Sequence, residues 1–502
     1  MITQRKAFRI YIGFVLTMLL PFTIVQAQTN EKSEPRGQST SEIEQLKSKL
    51  DALVSLLEQQ QRQMTEMQKR IDAIDSKTKA ASLETDLKLE TDLKPAALEV
   101  AQTQKQEPGS SPVQKETKAA DKPALLAGWD KNHAFFKSSD GRFVTEVTGY
   151  GQLDWRGYES GNAPPNSFLV RRARLALEGK IERYYDFKIE GDFADTASTP
   201  LRDLFVRVHR IDELMVSFGQ FRVPISQEEI RSDAFQDFVE RSMVNNLVPS
   251  RSPGVMASGI INKGVFEYQV GTFNGKGLLA ANNNDTPESA IRLRFAPWKN
   301  GNGFWTKGLA FGGAYTQGNS LGGLSVRGRT ESQSFTFYTP DVVNGQLNRA
   351  NGEITWLLGP AAIRAEYDQT NQERENLGPN GATLPGVVGK GYVAQFTYLL
   401  TGEAKPDAGA VSPKRNLFGD DTDGHGLGAW ELKFRYANLQ IANGTSKSNR
   451  AESIYFGPNW YLNRFVRYML DFGIERFKDP LRTPRPGDNN FFVVLTRIQV
   501  AF

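Results

Sequence analysis

The chain reads as an all-β transmembrane β-barrel of about 16 antiparallel strands, preceded by an N-terminal α-helical coiled coil. Three observations carry that reading. From residue 129 to 502 the sequence is a succession of short runs in which apolar and polar residues alternate, the period of a strand with two unlike faces. After the first thirty residues no apolar stretch is long enough to cross a bilayer as a helix. Short and long connections between the runs alternate, as they do in barrels with tight turns on one side of a membrane and loops on the other.

The first element is an export leader over residues 1–27. Arg5, Lys6 and Arg9 precede an apolar run from 10 to 24, and Val25, Gln26 and Ala27 form a small-residue cut site before Gln28. A short segment, 28–41, leads to a coiled coil over 42–75. There Ile43, Leu46, Leu50, Leu53, Leu57, Gln60, Met64, Met67, Ile71 and Ile74 alternate three- and four-residue spacings, the seam of a helix that requires a partner helix. Val54 and Leu56 widen the stripe and favour three strands over two. Residues 76–126 are Lys, Ala, Gln, Pro and Glu, including "LETDLKLETDLK", and cannot bury a core; they read as a disordered low-complexity linker.

The barrel domain is expected over 127–502. Its candidate strands include "VTGYGQLDW", "ARLALEGKI", "LFVRVHR", "AIRLRFAPW", "AAIRAEYDQ", "AWELKFRYA" and the terminal "FFVVLTRIQVAF". A further run, "SFTFYT" at 334–339, would make seventeen. The tight turns "ERY", "RID", "NKG", "GPA" and "LN" decide against it: with that run as a strand, "GPA" at 359–361 would fall on the long-loop side. The run is therefore expected as a hairpin inside one long external loop, 318–348. The connection 401–427 is the exception, long although it falls on the short-turn side.

Within the strands the two faces separate cleanly. Leu175, Leu177 and Ile181 oppose Arg172, Arg174, Glu178 and Lys180; Trp430, Leu432, Phe434 and Tyr436 oppose Glu431, Lys433 and Arg435. Apolar rows rich in aromatics suit a lipid-facing surface, and charged rows suit a wet lumen. Phe502 ends the last strand, which is expected to pair with the first and so remove both sheet edges.

Composition excludes other chemistry. With no Cys there is neither thiol nucleophile nor thiolate metal site. Only His209 of the three His lies on a strand, and no triad accompanies it, so the chain is not read as an enzyme and no catalytic residue, metal or cofactor is expected. A formal charge of +4 on 502 residues gives no reason to expect nucleic acid as a partner. "GDDTDGHG" at 419–426 lacks the first and last acidic ligands of a calcium loop and reads as a turn.

The stretches "VRRARLALEGKI", "FGQFRVPISQEE", "FVERSMVNN", "LLGPAAIRAEY", "GAWELKFRYAN" and "PNWYLN" resemble the phosphate-selective porin O/P family of outer-membrane channels. The resemblance runs from 129 to 502 and excludes the coiled coil and linker. It implies a sixteen-stranded barrel in the outer membrane of a Gram-negative-type bacterium, a homotrimer in lipid, a third external loop folded inward, and a basic lining favouring small anions such as phosphate or polyphosphate.

Alternation places Arg172, Arg174, Lys188, Arg207, Arg292, Arg294, Arg364, Lys433, Arg435, Arg467 and Arg497 on the lumenal face, and the inward loop, 222–253, adds Arg222, Arg231, Arg241 and Arg251. A guanidinium offers a planar fork of donors suited to phosphate. Carboxylates share these faces: Asp154, Glu178, Asp186, Glu190, Asp192, Glu267, Glu366, Asp368, Glu431, Asp471 and Glu475 on the wall, and Glu228, Glu229, Asp233, Asp237 and Glu240 on the loop. The lining is thus mixed, and Arg497 is expected to stand in wide, screened water. Ser226 and Glu229 form a candidate capping box for a short helix. A second reading, from the coiled coil and linker alone, is a structural protein tethering the membrane to the cell wall.

Overall fold

The computed structural model describes residues 125–130, 133–159, 161, 164–194, 201–419, 425–444, 448–479 and 481–502. The expected leader, heptad helix and all but the last two residues of the linker lie outside them, as do residues 420–424 of "GDDTDGHG". The described strands are β1 Leu125–Trp129, β2 Ala134–Ser138, β3 Val144–Tyr158, β4 Ser167–Ile181, β5 Tyr185–Asp192, β6 Leu201–Ile211, β7 Leu214–Arg222, β8 Arg251–Ile261, β9 Phe266–Phe273 and β10 Glu288–Phe295. They continue with β11 Leu309–Leu324, β12 Gly328–Arg329, β13 Thr336–Tyr338, β14 Val342–Leu358, β15 Ala361–Arg374, β16 Leu384–Leu399, β17 Ala429–Ala442, β18 Ser448–Tyr461, β19 Val466–Phe477 and β20 Asn490–Ala501.

β3 to β11 and β14 to β20 pair antiparallel in succession, β11 with β14, and β20 returns to β3 from Val493↔Tyr158 to Ala501↔Tyr150. The result is a closed sixteen-stranded barrel. At the seam Phe502 and Gly149 exchange backbone hydrogen bonds of 2.9 and 2.8 Å. Gly149 is required there, because a Cβ would lie 2.6 Å from the Arg174 carbonyl and 3.2 Å from the Phe502 ring. Where β20 stops, β2 takes its place beside the lower part of β3, and β1 pairs with β2; this hairpin is an addition that alternation did not predict.

The faces are sorted as expected: Leu175 and Leu177 are 42% exposed on the outside, whereas Glu431 and Arg435 are at most 1% exposed inside. "SFTFYT" is no stave; its β13 pairs only with β12. The register between β11 and β14 continues past a bulge at Ser320/Gly323 to Leu324↔Val342, so the connection is 325–341, shorter than predicted. It also turns inward, with Phe337 and Tyr338 buried.

The inner face of β16 to β20 departs from the polar lining. Val387, Val393, Leu439, Ile441, Tyr455, Met469, Phe491 and Leu495 are buried, and they pack against loop residues Phe238, Met243, Leu247 and Phe337. Where the infolded loops pack, these strands are apolar on both faces, one meeting lipid and the other the loops, while Glu431, Lys433, Arg435, Arg467 and Arg497 keep the rest of the inner face charged.

The long connection after β16 has a physical explanation in the fold. Residues 403–411 turn up under the lumen from the short-turn end. Lys405 N–H donates to the Gly359 carbonyl at 2.7 Å, Arg364 donates to the Pro406 and Asp407 carbonyls at 3.2 and 3.3 Å, and Val411 is buried with Leu399, Ala429 and Tyr461. The segment is a strap across the mouth of the barrel.

Candidate functional site

The loop 223–250 joins Arg222 to Arg251, which are themselves paired across β7 and β8. It holds little regular structure: the one-turn helix α1, Gln227–Ile230, and 3-10 turns at Asp233–Phe235 and Met243–Leu247. Such short pieces are not stable by propensity and must be held by caps and packing. Ser226 accepts the Glu229 N–H at 3.2 Å, half of the predicted capping box; the Glu229 carboxylate instead meets Arg222 at 2.9 Å.

Apolar anchors tie the loop to opposite walls. Val223 and Ile225 pack with Phe221, Met256, Phe273 and Ala290, while Phe238, Val244 and Leu247 join the cluster on β16 to β20. Close approach requires Gly389 and Gly391 on β16, where a Cβ would lie 2.4 Å from Leu247 and 3.0 Å from Val244. Each fully buried anchor of this size stabilises the docked loop by about 1.5–3 kcal/mol.

The loop carboxylates then gather cations from the wall. Asp233 meets Arg241 at 2.6 Å, Arg174 at 2.8 Å, Arg222 at 3.2 Å and Arg172 at 3.3 Å. Asp237 meets Lys405 at 2.7 Å, Arg364 at 3.2 Å and Arg231 at 3.3 Å. Glu240 meets Arg171 at 2.6 Å, Arg497 at 3.4 Å, Arg172 at 3.7 Å, and Arg156. Burial opposes ionisation of all three, but the surrounding guanidinium and ammonium groups prevail and hold each carboxyl well below its ordinary value.

A sign follows for pH. Carboxyls depressed in this way contribute stability that is complete above their unfolded value and lost only as pH falls through the lower folded value. The pairing that Asp233, Asp237 and Glu240 give the loop should therefore be the same at pH 7 and at about pH 4.5, close to the ordinary carboxylate range. A loop that loosens over that interval, read as a rise in conductance noise, would contradict this assignment.

The predicted site residues divide into groups. Arg172, Arg174, Arg222, Arg231 and Arg241 converge on the loop as ion-pair partners. Lys433, Arg435 and Arg467 are fasteners rather than lining: they donate to the Asp237, Glu240 and Gln236 carbonyls at 3.0, 2.9 and 2.9 Å, and Arg435 lies 3.9 Å from the Phe238 ring centre. Arg364 is likewise buried, between Asp237 and the strap.

The remaining four are apart from the loop. Lys188 pairs with Glu178 and Glu190, Arg292 with Glu353, Arg294 with Glu267 and Asp407, and Arg207 donates to Ser217.

Arg497 is a correction. It is 1% exposed and bidentate on Asp154 at 2.6 and 2.8 Å, because the infolded loop removes the wide water expected around it.

Sequence reading missed Arg156, Arg171 and Lys405. The register slips between Gln152↔Arg172 and Leu153↔Val170, leaving Arg171 unpaired, so two consecutive arginines reach the lumen. The "RR" doublet was the available signal.

Below the ion-pair layer a recess of about 310 Å³ is lined by Tyr150, Arg174, Lys188, Glu190 and Phe235; above it a smaller one, about 80 Å³, is lined by Arg241, Asn245, Asn246, Arg329 and Gln333.

A closed barrel with an apolar exterior, a charged lumen and a loop folded across it defines a channel of the porin class. Residues 147–502 match the family described as phosphate-selective porin O and P, and the chain belongs to that family, whose members are channels of the bacterial outer membrane. It is 21% identical to Porin O of Pseudomonas aeruginosa over 416 residues, 73% of this chain and 90% of that one. Similar solved structures include an anion-selective porin from Comamonas acidovorans, with TM-score 0.45, 13% identity, and coverage of 71% of this chain and 100% of that chain. Another is Salmonella typhi OmpF in complex with daunomycin, with TM-score 0.48, 11% identity, and coverage of 75% and 100%.

Proposed function

We propose that the barrel is a passive pore for small hydrophilic solutes that favours anions such as phosphate or polyphosphate. One observation supports the preference. In part of the constricting loop's ion pairs the cation is the more exposed partner: Arg171 is 25% exposed against 1% for Glu240, and Arg241 is 14% exposed against 2% for Asp233, whereas Arg364, Lys405 and Arg497 are as buried as the carboxylates they meet. A solute at this level meets guanidinium edges while the carboxylates are turned away, and Arg suits a planar, multi-oxygen anion. The name of the family agrees with the preference, and that of its Pseudomonas relative with a pore.

The test is the zero-current potential of single channels in a planar bilayer with asymmetric potassium chloride. The expected sign is that of chloride permeating faster than potassium; a cationic sign would overturn the preference.

The lipid-facing apolar surface and the heptads at 43–74 support a homotrimer. Native mass measurement of detergent-extracted protein is expected to give three chains, and a single chain would end that expectation. Cell-wall tethering draws only on residues outside those described, and no structural observation favours it.

A further inference from the structure

At the external ends of β17 to β20 the outward face stops being apolar. Glu452 pairs with Arg476 and Arg476 with Asn490. One rung further out the Lys478 N–H donates to the Arg450 carbonyl at 3.0 Å, which sets Arg450 and Lys478 opposite each other. Residues 450, 452, 476 and 478 share one parity, the parity of the lipid-facing Ile454, Phe456, Phe472 and Ile474. A groove of about 370 Å³ opens among Arg450, Glu452, Arg476, Lys478 and Asn490.

Three cations thus crowd one carboxylate. Glu452 is in contact with Arg450 and accepts from the Asn438 amide at 3.2 Å, whereas neither Arg476 nor Lys478 makes an ion pair with a described residue. Like charges directly opposite across two strands are destabilising unless an anion lies between them. Just toward the membrane centre the same face presents Ile454, Ile474 and Phe492, paired in register.

We propose that this groove binds the phosphorylated headgroup of a lipid in the outer leaflet, its phosphate between Arg450, Arg476 and Lys478 and its acyl chains along the apolar rows below. The two halves of the surface, cationic outside and apolar inside, match the two halves of such a lipid and no free anion.

The test titrates detergent-solubilised protein with the diphosphorylated glycolipid lipid A, with its dephosphorylated form and with inorganic phosphate, read by native mass spectrometry. The phosphorylated form is expected to bind about tenfold more tightly than the dephosphorylated one, at least, and the variant Arg450→Ser, Arg476→Ser, Lys478→Ser to lose that margin while its single-channel conductance stays the same. Should that variant fail to fold, Glu452→Gln serves alone, since removing the carboxylate should tighten binding. Equal binding of the two lipid forms, an unchanged triple variant, weaker binding by Glu452→Gln, or displacement by millimolar inorganic phosphate would each overturn the proposal.

Discussion

Replacing Arg222, Arg231 and Arg241 together by Gln is expected to move the channel toward cations by about an order of magnitude in permeability ratio, because charges in a narrow, poorly screened passage act through a reduced effective dielectric. Arg231 and Arg241 lie on the loop and Arg222 ends β7 where the loop begins, and all three carry the partly exposed side of its ion pairs. After the change Asp233 keeps Arg172 and Arg174, and Asp237 keeps Arg364 and Lys405. Glu229 loses both of its arginines and keeps only Asn245 and Ser250. Stripping a buried carboxylate of its partners costs about 3–5 kcal/mol, so part of the effect should appear as a loosened loop. Conductance noise and the zero-current potential are therefore read together. A quiet channel with unchanged potential would remove the loop from the selectivity mechanism.

Deleting residues 403–411 and rejoining the chain with Gly and Ser should raise single-channel conductance about twofold or more, since the strap narrows the lumen beneath the constricting loop. Lys405 is the fastener at its tip. Its ammonium, 2% exposed, bridges Asp237 of the loop and Glu431 of the wall. The single change Lys405→Met should move conductance in the same direction and less far, because it breaks a buried pair yet leaves the Arg364 contacts to the strap carbonyls. Conductance equal to the parent protein after the deletion would mean that the strap lies clear of the solute path.

Much of this architecture is local and was legible before any coordinates. Alternation with period two assigns each strand residue to lipid or lumen, so Leu175 against Arg174, and Phe434 against Arg435, were sorted correctly. Turn lengths are also local, and they kept "SFTFYT" out of the wall. The family resemblance, resting on ordered motifs, agreed with both.

Position along the lumen axis and the identity of a charge's partner are not local properties. Lys433 and Arg467 have the same inward parity as Lys188, yet the first two fasten loop carbonyls and the third stands apart, because the loop returns across one wall and not the other. The apolar residues on the inner faces of β18 to β20, such as Tyr455, Met469 and Phe491, are explained only by Phe238, Leu247 and Phe337, which come from distant loops to pack against them. Arg171 reached the lumen through a register slip that only pairing with β3 creates. The sequence by itself determined the closed barrel, its sixteen staves and the sign of each face, since each follows from the spacing of near neighbours along one strand. Tertiary structure alone decided which cations line the passage and which are buried as fasteners, since that depends on loops that come back from either end of the barrel to meet residues far away in the chain.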